Sequence, residues 1–375
     1  MAAGRLVQLR NKRYPHDKLR TFRAFDFNSM SFQITIQPSG HRFSAAADET
    51  ILNAALEAGY TLPYGCRNGG CGACKGQVLE GEVDYGDAQS NVLSEEEKTA
   101  GKALFCCARP LSDLTIECRE VSLSGGIQPR ILPCRVENKV QLASDVVAMF
   151  LKLPANERLQ FLPGQYIEFL LKDGARRAFS LANAPFDDQM LELHARLIPG
   201  GKFSEYVASE MPEKAILRFE GPLGTFCLRE ESDKPIIFVA GGTGFAPIKA
   251  IVEHMFHHHM QRDMVLYWGA LARQDLYMAE LPQKWAAEHA NFRFVPVLSE
   301  PAPDDGWAGR DGLVHQAVLA DHADLSGYQV YCCGAPAMVE AAHRDFTRHG
   351  LPEEEFFSDA FTFAAKKQSL SPLAG

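Results

Sequence analysis

Tyr64-Gly65-Cys66-Arg67-Asn68-Gly69-Gly70-Cys71-Gly72-Ala73-Cys74 sets three cysteines at C-x4-C-x2-C spacing among four glycines, and Cys106 follows after a longer interval. That is the ligand pattern of a plant-type 2Fe-2S cluster. Glycines let backbone wrap a small anionic group and aim N–H groups at its sulfurs, which is part of what tunes a cluster potential. Structural zinc favours two C-x2-C pairs, unlike one three-cysteine loop with a distant fourth ligand. Ten cysteines in a chain that opens without a cleavable signal sequence point to a reducing, cytoplasmic compartment rather than to disulfides. Cys107 stands beside Cys106, and spacing alone leaves both open as the fourth ligand.

At 375 residues, with 46% hydrophobic and 23% charged side chains, the chain has material for two or three soluble domains. No apolar run reaches the ~18 residues of a membrane span. A net charge of -9 argues against nucleic acid as a partner. The charge is uneven: residues 1–29 hold seven basic and two acidic side chains, whereas residues 30–122 hold seven basic and thirteen acidic. The Arg-rich arm 1–29 reads as a disordered or wrongly assigned extension, because a strand-like run begins directly after Met30. The acidic first module implies a protein partner with a basic face.

Three modules follow. Residues 30–122 combine alternating strand patterns (Phe32, Ile34, Ile36) with a helical pattern over 49–58, the cysteine loop, strands over 74–83 and 114–118, and an acidic helix over 94–101. A Gly/Ser/Pro stretch over 122–129 reads as a linker. Residues 130–230 carry strand patterns at 131–136, 146–153, 165–171, 177–182 and 190–197, a helix over 203–211, and a closing strand and turn over 216–219, 221–224 and 226–228, which together predict an antiparallel barrel. From 233 to 375, strands at 236–240, 265–269, 292–298 and 329–333 alternate with helices over 247–260 and 337–348, predicting a mostly parallel sheet. The final segment, 356–363, is aromatic.

Gly241-Gly242-Thr243-Gly244, followed by Phe245-Ala246-Pro247, places glycines where a buried strand turns into a helix, a place where N–H groups and the helix dipole can take a pyrophosphate. The spacing is not G-x-G-x-x-G, so the ordinary dinucleotide fingerprint does not apply. Arg177, Phe179 and Ser180 share one strand, Ser180 facing opposite to the other two. An arginine can clamp phosphate and an aromatic can cover a flat ring. Gly200-Gly201-Lys202-Phe203-Ser204 opens a helix in a further phosphate-binding pattern. Each of these motifs alone is a weak signal.

Their order is stronger than any one of them. From about Met30 onward the chain resembles the ferredoxin-containing reductases of the ferredoxin-NADP reductase superfamily: the reductase components of oxygenases, and, closest in overall look, those paired with the dehydrase of 3,6-dideoxysugar synthesis. The resemblance implies a β-grasp 2Fe-2S domain, an antiparallel FAD barrel and a parallel-sheet NAD(P) domain. The family's R-x-Y/F-S motif matches Arg177, Phe179 and Ser180, and its G-G-x-x-S matches Gly200, Gly201 and Ser204. By that likeness Arg177 and Ser204 bind the FAD diphosphate, Phe179 lies along the flavin and Ser180 sits near its reactive nitrogen. The nicotinamide motif G-G-T/S-G-x-A/T-P matches Gly241 to Pro247. The family's C-G-P-P stands here as Cys333, Gly334, Ala335 and Pro336, its cysteine near the nicotinamide carbon that gives up hydride. The residues before Pro110 make Cys106 the fourth cluster ligand, and Phe361 falls in the aromatic segment near the flavin.

The cofactors implied are a 2Fe-2S cluster, FAD and NADH or NADPH, with NADH favoured by the resemblance; Arg273 could meet a 2′-phosphate. A hydride donor cannot feed a one-electron acceptor directly, so the expected activity is an electron-transfer oxidoreductase serving a protein acceptor, a dehydrase or an oxygenase component. A redox-sensing module with decayed cofactor sites is the rival. The histidines at 254 and 257–259 read as a solvated helix end, and Cys118, Cys134, Cys227 and Cys332 as buried core side chains.

Overall fold

The computed structural model describes residues 30–119, 127–303 and 306–361. The arm 1–29, residues 122–126 of the expected linker and residues 362–363 of the expected final segment lie outside them.

The first sheet is built on the strand Ser31–Gln37, antiparallel to Arg42–Ala46 on one side and parallel to Leu114–Glu117 on the other, with Lys75–Glu80 and Lys102–Leu104 completing it. The helix Ile51–Glu57 starts where Thr50 Oγ1 accepts the Asn53 N–H, and it buries Ile51, Leu52, Ala54 and Ala55 on the sheet. Its first N–H groups are spent on the chain around Cys106: Ile51 donates to the Ala108 carbonyl and Leu52 to that of Phe105, each at 2.9 Å. The acidic helix is Glu95–Thr99, closed by a reciprocal cap between Ser94 and Glu97.

The second sheet runs in six antiparallel strands: Arg176–Ser180, Tyr166–Leu170, Ile216–Leu223, Arg130–Ala143, Val146–Lys152 and Leu191–Arg196. Two details depart from expectation. The closing element is one strand through Leu223, because Gly221 still pairs with Arg130 and Leu223 with Tyr166, a bulge opposite Tyr166 and Glu168 absorbing the irregularity. Residues 226–228 form no strand and instead bury Phe226 and Leu228 in the core of the next domain. The helix expected over 203–211 is α-helical for Lys202–Glu205 and continues as a π-helical turn, Tyr206–Glu210.

The third sheet is parallel throughout, in the order Arg310–Asp311, Phe292–Leu298, Met264–Ala270, Ile236–Gly241, Gln329–Gly334 and Phe356–Ala360. Helices Phe245–His257, Glu280–Glu288, Val314–Asp321 and Pro336–Arg348 cover its two faces. Sequence periodicity missed the second and third of these helices. Ile236–Gly241 lies between strands that leave it in opposite directions, so a crevice opens at its carboxyl end beside Gln329–Gly334.

Barrel and parallel sheet are joined by a buried ionic group. Lys249 Nζ, on the helix Phe245–His257, donates to the Ala182 carbonyl (3.0 Å), Glu192 Oε2 (3.0 Å) and Glu253 Oε2 (3.1 Å). His194 lies 2.9 Å from both Glu192 Oε1 and the Tyr277 hydroxyl. A carboxylate only accepts, so Nε2 carries the proton toward Glu192 and Nδ1 accepts from Tyr277. Burial pushes the Glu192 carboxyl up, but the His194 hydrogen bond and the Lys249 charge outweigh it and bring it down to about 2. For Glu253 burial wins, and its carboxyl is raised. A carboxyl depressed in the folded state contributes stability above its unfolded value of 4.5 that is lost as pH falls through about 2. Acid titration of unfolding should therefore show a loss on the order of 3 kcal/mol at most across that window, and the Glu192→Gln variant should lack it.

Candidate functional site

The four cysteines expected to hold the cluster come together although the fourth is remote in sequence. The Phe105 N–H donates to the Cys74 carbonyl at 3.1 Å, which sets the chain entering Cys106 against the end of the cysteine loop. The thiols fall in two neighbouring pairs, Cys66 beside Cys71 and Cys74 beside Cys106. The Cys66 thiol is drawn down to about 6, first by its bond with Cys71 and then by the N–H groups of Asn68 and Gly70. The Cys106 thiol is drawn down to about 3 by Cys107 and Cys74, with the Gly69 N–H adding to them. The Cys66 N–H also points at Cys71 Sγ, 3.4 Å away.

The partner thiols Cys71 and Cys74 are pushed up by those same contacts and by burial, so each pair sets one sulfur that favours thiolate against one that holds its proton. Cysteine sulfurs paired in this way beside backbone donors fit an anionic metal cluster. Among the described residues no three His, Cys, Asp or Glu side chains gather as one mononuclear ion requires. Two cysteine pairs suit a two-iron group instead. Cys107 Sγ lies 3.7 Å from Cys106 Sγ, and its thiol is pushed up by that contact and by burial. It sits beyond Cys106, against the loop backbone, where a Cβ on Gly69 would stand 2.8 Å from it. Gly69 has φ +73, so the turn excludes a side chain both by conformation and by space.

The flavin-motif residues lie on the strand Arg176–Ser180. Ser180 is buried and its hydroxyl donates to Asp359 Oδ2 at 3.4 Å. Phe179 is half-buried on Phe203 (5.5 Å) and Phe169 (5.7 Å). Arg177 is half-buried, with Nη1 on the Arg176 carbonyl at 2.7 Å. Gly200 turns with φ +72, Ser204 Oγ accepts the Ile198 N–H at 2.9 Å, and Lys202 is exposed.

The nicotinamide-motif residues sit at the crevice of the parallel sheet. Gly242–Gly244 is a single helical turn opening the helix that contains Pro247. Trp268 Nε1–H donates to the Gly242 carbonyl at 3.0 Å and stacks on Phe245 at 4.1 Å, which fixes the turn. A Cβ on Gly244 would lie 2.0 Å from the Cys333 carbonyl, and one on Gly334 would lie 3.0 Å from Gly241. The glycine turn and the Cys333–Gly334 corner are thus in direct contact. Cys333 is fully buried and pairs in register with Asp359. The Phe361 N–H donates to the Gly334 carbonyl at 2.8 Å. Arg273 is exposed and lines a cleft with Leu142, Tyr277, Pro296 and Trp307. The histidines of the first crossover helix have unlike partners: His254 Nε2 is 3.0 Å from Glu230, and the His257 ring stacks on Phe186.

Two residues that sequence reasoning left out of the site stand inside it. Asp359 is buried where the three domains meet, beside Ser180 and 3.6 Å from where a Cβ on Gly65 would stand. Burial, and secondarily the Cys66 charge, push its carboxyl up to about 7. Arg196 ends the strand Leu191–Arg196, pairs with Asp145 at 3.1 Å, and presents its guanidinium 2.9 Å from where a Cβ on Gly242 would stand. No local signal marks either residue, since both contacts join distant parts of the chain.

The comparisons follow the same order. A 2Fe-2S iron-sulfur cluster binding domain model matches residues 34–111, an oxidoreductase FAD-binding domain model 133–227 and an oxidoreductase NAD-binding domain model 238–344. The chain belongs to the ferredoxin-containing reductases of the ferredoxin-NADP reductase superfamily. It is 41% identical over 332 residues to the CDP-6-deoxy-L-threo-D-glycero-4-hexulose-3-dehydrase reductase of Yersinia pestis, spanning 88% of this chain and 99% of that protein. It is 36% identical to the reductase component of phenol 2-monooxygenase from a Pseudomonas species, spanning 90% of this chain and 96% of that one. The crystal structure of the Amycolatopsis cytochrome P450 reductase GcoB superposes with a TM-score of 0.73 at 35% identity, over 89% of this chain and all of that chain. The protein is an NAD(P)H-dependent oxidoreductase carrying FAD and a 2Fe-2S cluster.

Arg196 offers a cation at the glycine turn where a nicotinamide dinucleotide's pyrophosphate would lie. Arg196→Ala is expected to raise KM for the nucleotide about tenfold, the scale of one charge-assisted hydrogen bond, while leaving FAD content unchanged; steady-state kinetics beside flavin quantification checks it.

Proposed function

We propose that electrons enter from NADH at the Gly241–Gly244 turn beside Cys333, cross FAD bound along Arg177, Phe179, Ser180 and the Gly200–Ser204 turn, and leave through a cluster held by Cys66, Cys71, Cys74 and Cys106. When bound, the nicotinamide gives a hydride, and the flavin passes its two electrons on singly while the proton goes to solvent. The residues position this traffic. Arg177 and Arg196 hold phosphates, the glycine turn brings backbone N–H groups close, and buried Cys333 and Asp359 keep water from the crossing point. The observation that carries the reading is the meeting of the three motifs around Asp359: it pairs with Cys333, bonds Ser180 and borders the cysteine loop. Residues 30–122, 130–230 and 233–375 are then the three cofactor domains.

The acceptor we favour is a separate protein of the sugar-dehydrase class, supported by the 41% identity to the Yersinia reductase. An oxygenase component is the second reading, supported by the 36% identity to the phenol 2-monooxygenase reductase. Asp84, Asp87, Glu95 and Glu96 are exposed on the cluster domain and suit a basic partner face. No described helix is long and apolar enough to cross a membrane, and the expected site of action is the cytoplasm.

Anaerobic titration with NADH, then NADPH, with iron, sulfide and flavin measured in the same sample, tests the path. About two irons and one FAD per chain, with bleaching of both chromophores, is expected; zinc in place of iron, or flavin reduction with an unchanged cluster, would sink it. Arg177→Ala should lose FAD on gel filtration while keeping iron. Acceptor reduction should slow as ionic strength rises past ~0.1 M, because exposed acidic groups are screened.

A further inference from the structure

Arg67 stands between the first two cluster cysteines, yet its guanidinium leaves the loop. Nη1 donates to Glu220 Oε1 on the barrel strand Ile216–Leu223 at 3.3 Å, and Nη2 to Asn53 Oδ1 at 3.4 Å. Glu220 is shared with Arg176, which also donates to Glu168 at 3.1 Å. Arg176 directly precedes the flavin-motif Arg177. Both members of the Arg67–Glu220 pair are largely shielded, with 23% and 17% of their side chains exposed. Arg67 holds φ +55, a left-handed conformation that costs a non-glycine residue energy and that a glycine at this position would adopt freely. The strained backbone carries a long cation to the opposite domain, which a glycine could not do.

Neutral bonds line the same seam. The Tyr166 hydroxyl donates to the Gly65 carbonyl at 2.5 Å, the Tyr64 N–H to Thr225 Oγ1 at 3.0 Å, and the Thr225 N–H to the Tyr64 carbonyl at 3.2 Å. Together they hold Gly65, Cys66 and Cys71 over Ser180 and Asp359.

We propose that Arg67 and Glu220 form an interdomain latch that docks the cysteine loop on the flavin strand and so governs electron passage from flavin to cluster, leaving hydride transfer at the glycine turn, which neither residue touches, unchanged. The inference rests on the electron path proposed above. Arg67 is a positioning residue: it acts through the loop it anchors. A mostly shielded pair resists salt, so the internal step should change little with ionic strength even where acceptor reduction does.

The test uses full-length holoprotein mixed anaerobically with NADH in stopped flow, following flavin and cluster bleaching separately, for wild type, Arg67→Ala, Glu220→Gln and the double variant. Flavin reduction should stay within about twofold of wild type, while cluster reduction should slow at least ~10-fold in each single variant, the scale of one shielded ion pair. The double variant should be no slower than the slower single one, because both lose the same contact. Hydrogen exchange should rise in peptides spanning 62–70 and 216–225 and stay unchanged in 236–241. Cluster bleaching at the wild-type rate in both single variants, or an additive double variant, overturns the latch. Should Arg67→Ala fail to retain iron, Glu220→Gln, which lies on the barrel, decides alone. A wild-type cluster that NADH does not bleach refutes the electron path instead, and the exchange comparison then still decides whether the pair docks the loop.

Discussion

Ser180 and Asp359, joined by one 3.4 Å hydrogen bond, bring together segments almost half the chain apart, and the cysteine loop closes over them at Gly65. Each of the three domains delivers one side of that junction. The barrel supplies Ser180 from a strand paired to Tyr166, and Tyr166 reaches back to the Gly65 carbonyl. The parallel sheet supplies Asp359 from its last strand, in register with Cys333. A carboxyl buried there is costly in its charged form, which is why its titration moves toward neutrality.

The seams around the junction are polar in different ways. Between barrel and parallel sheet, Lys249 lies among three acceptors, and the geometry is good enough to offset the cost of burying charge. Between the cluster domain and the barrel the contacts are mostly neutral, with buried bonds at Tyr64 and Gly65 and the largely shielded Arg67–Glu220 pair beside them. The cluster domain also reaches the parallel sheet: Arg119 donates to the Glu354 carbonyl at 2.6 Å and lies over the Phe357 ring.

The cluster loop obeys the same economy. Gly69, and Gly76 on the strand that follows, are places where neighbouring side chains leave no room: Cys107 Sγ lies against Gly69, and the Phe105 ring packs so closely on Gly76 that a Cβ there would stand 2.3 Å from it. Phe105 has two tasks, since its N–H fixes Cys74 and its ring seals the sheet beneath the loop.

The sequence by itself determined the domain order, the sheet types, the cysteine pattern and the two glycine turns, because these depend on short-range periodicity and on residue types with one dominant physical use. It also placed the motif residues Arg177, Ser180 and Cys333 on strands where the structure has them. Tertiary structure alone decided what those motifs face. The helices Glu280–Glu288 and Val314–Asp321 were missed because packing against the sheet stabilises them more than their own periodicity does. Asp359, Arg196 and the reach of Arg67 were invisible for a different reason: Ser180, Gly242 and Glu220 lie at least forty-six positions from them, and only folding brings a carboxylate or a guanidinium against such a partner.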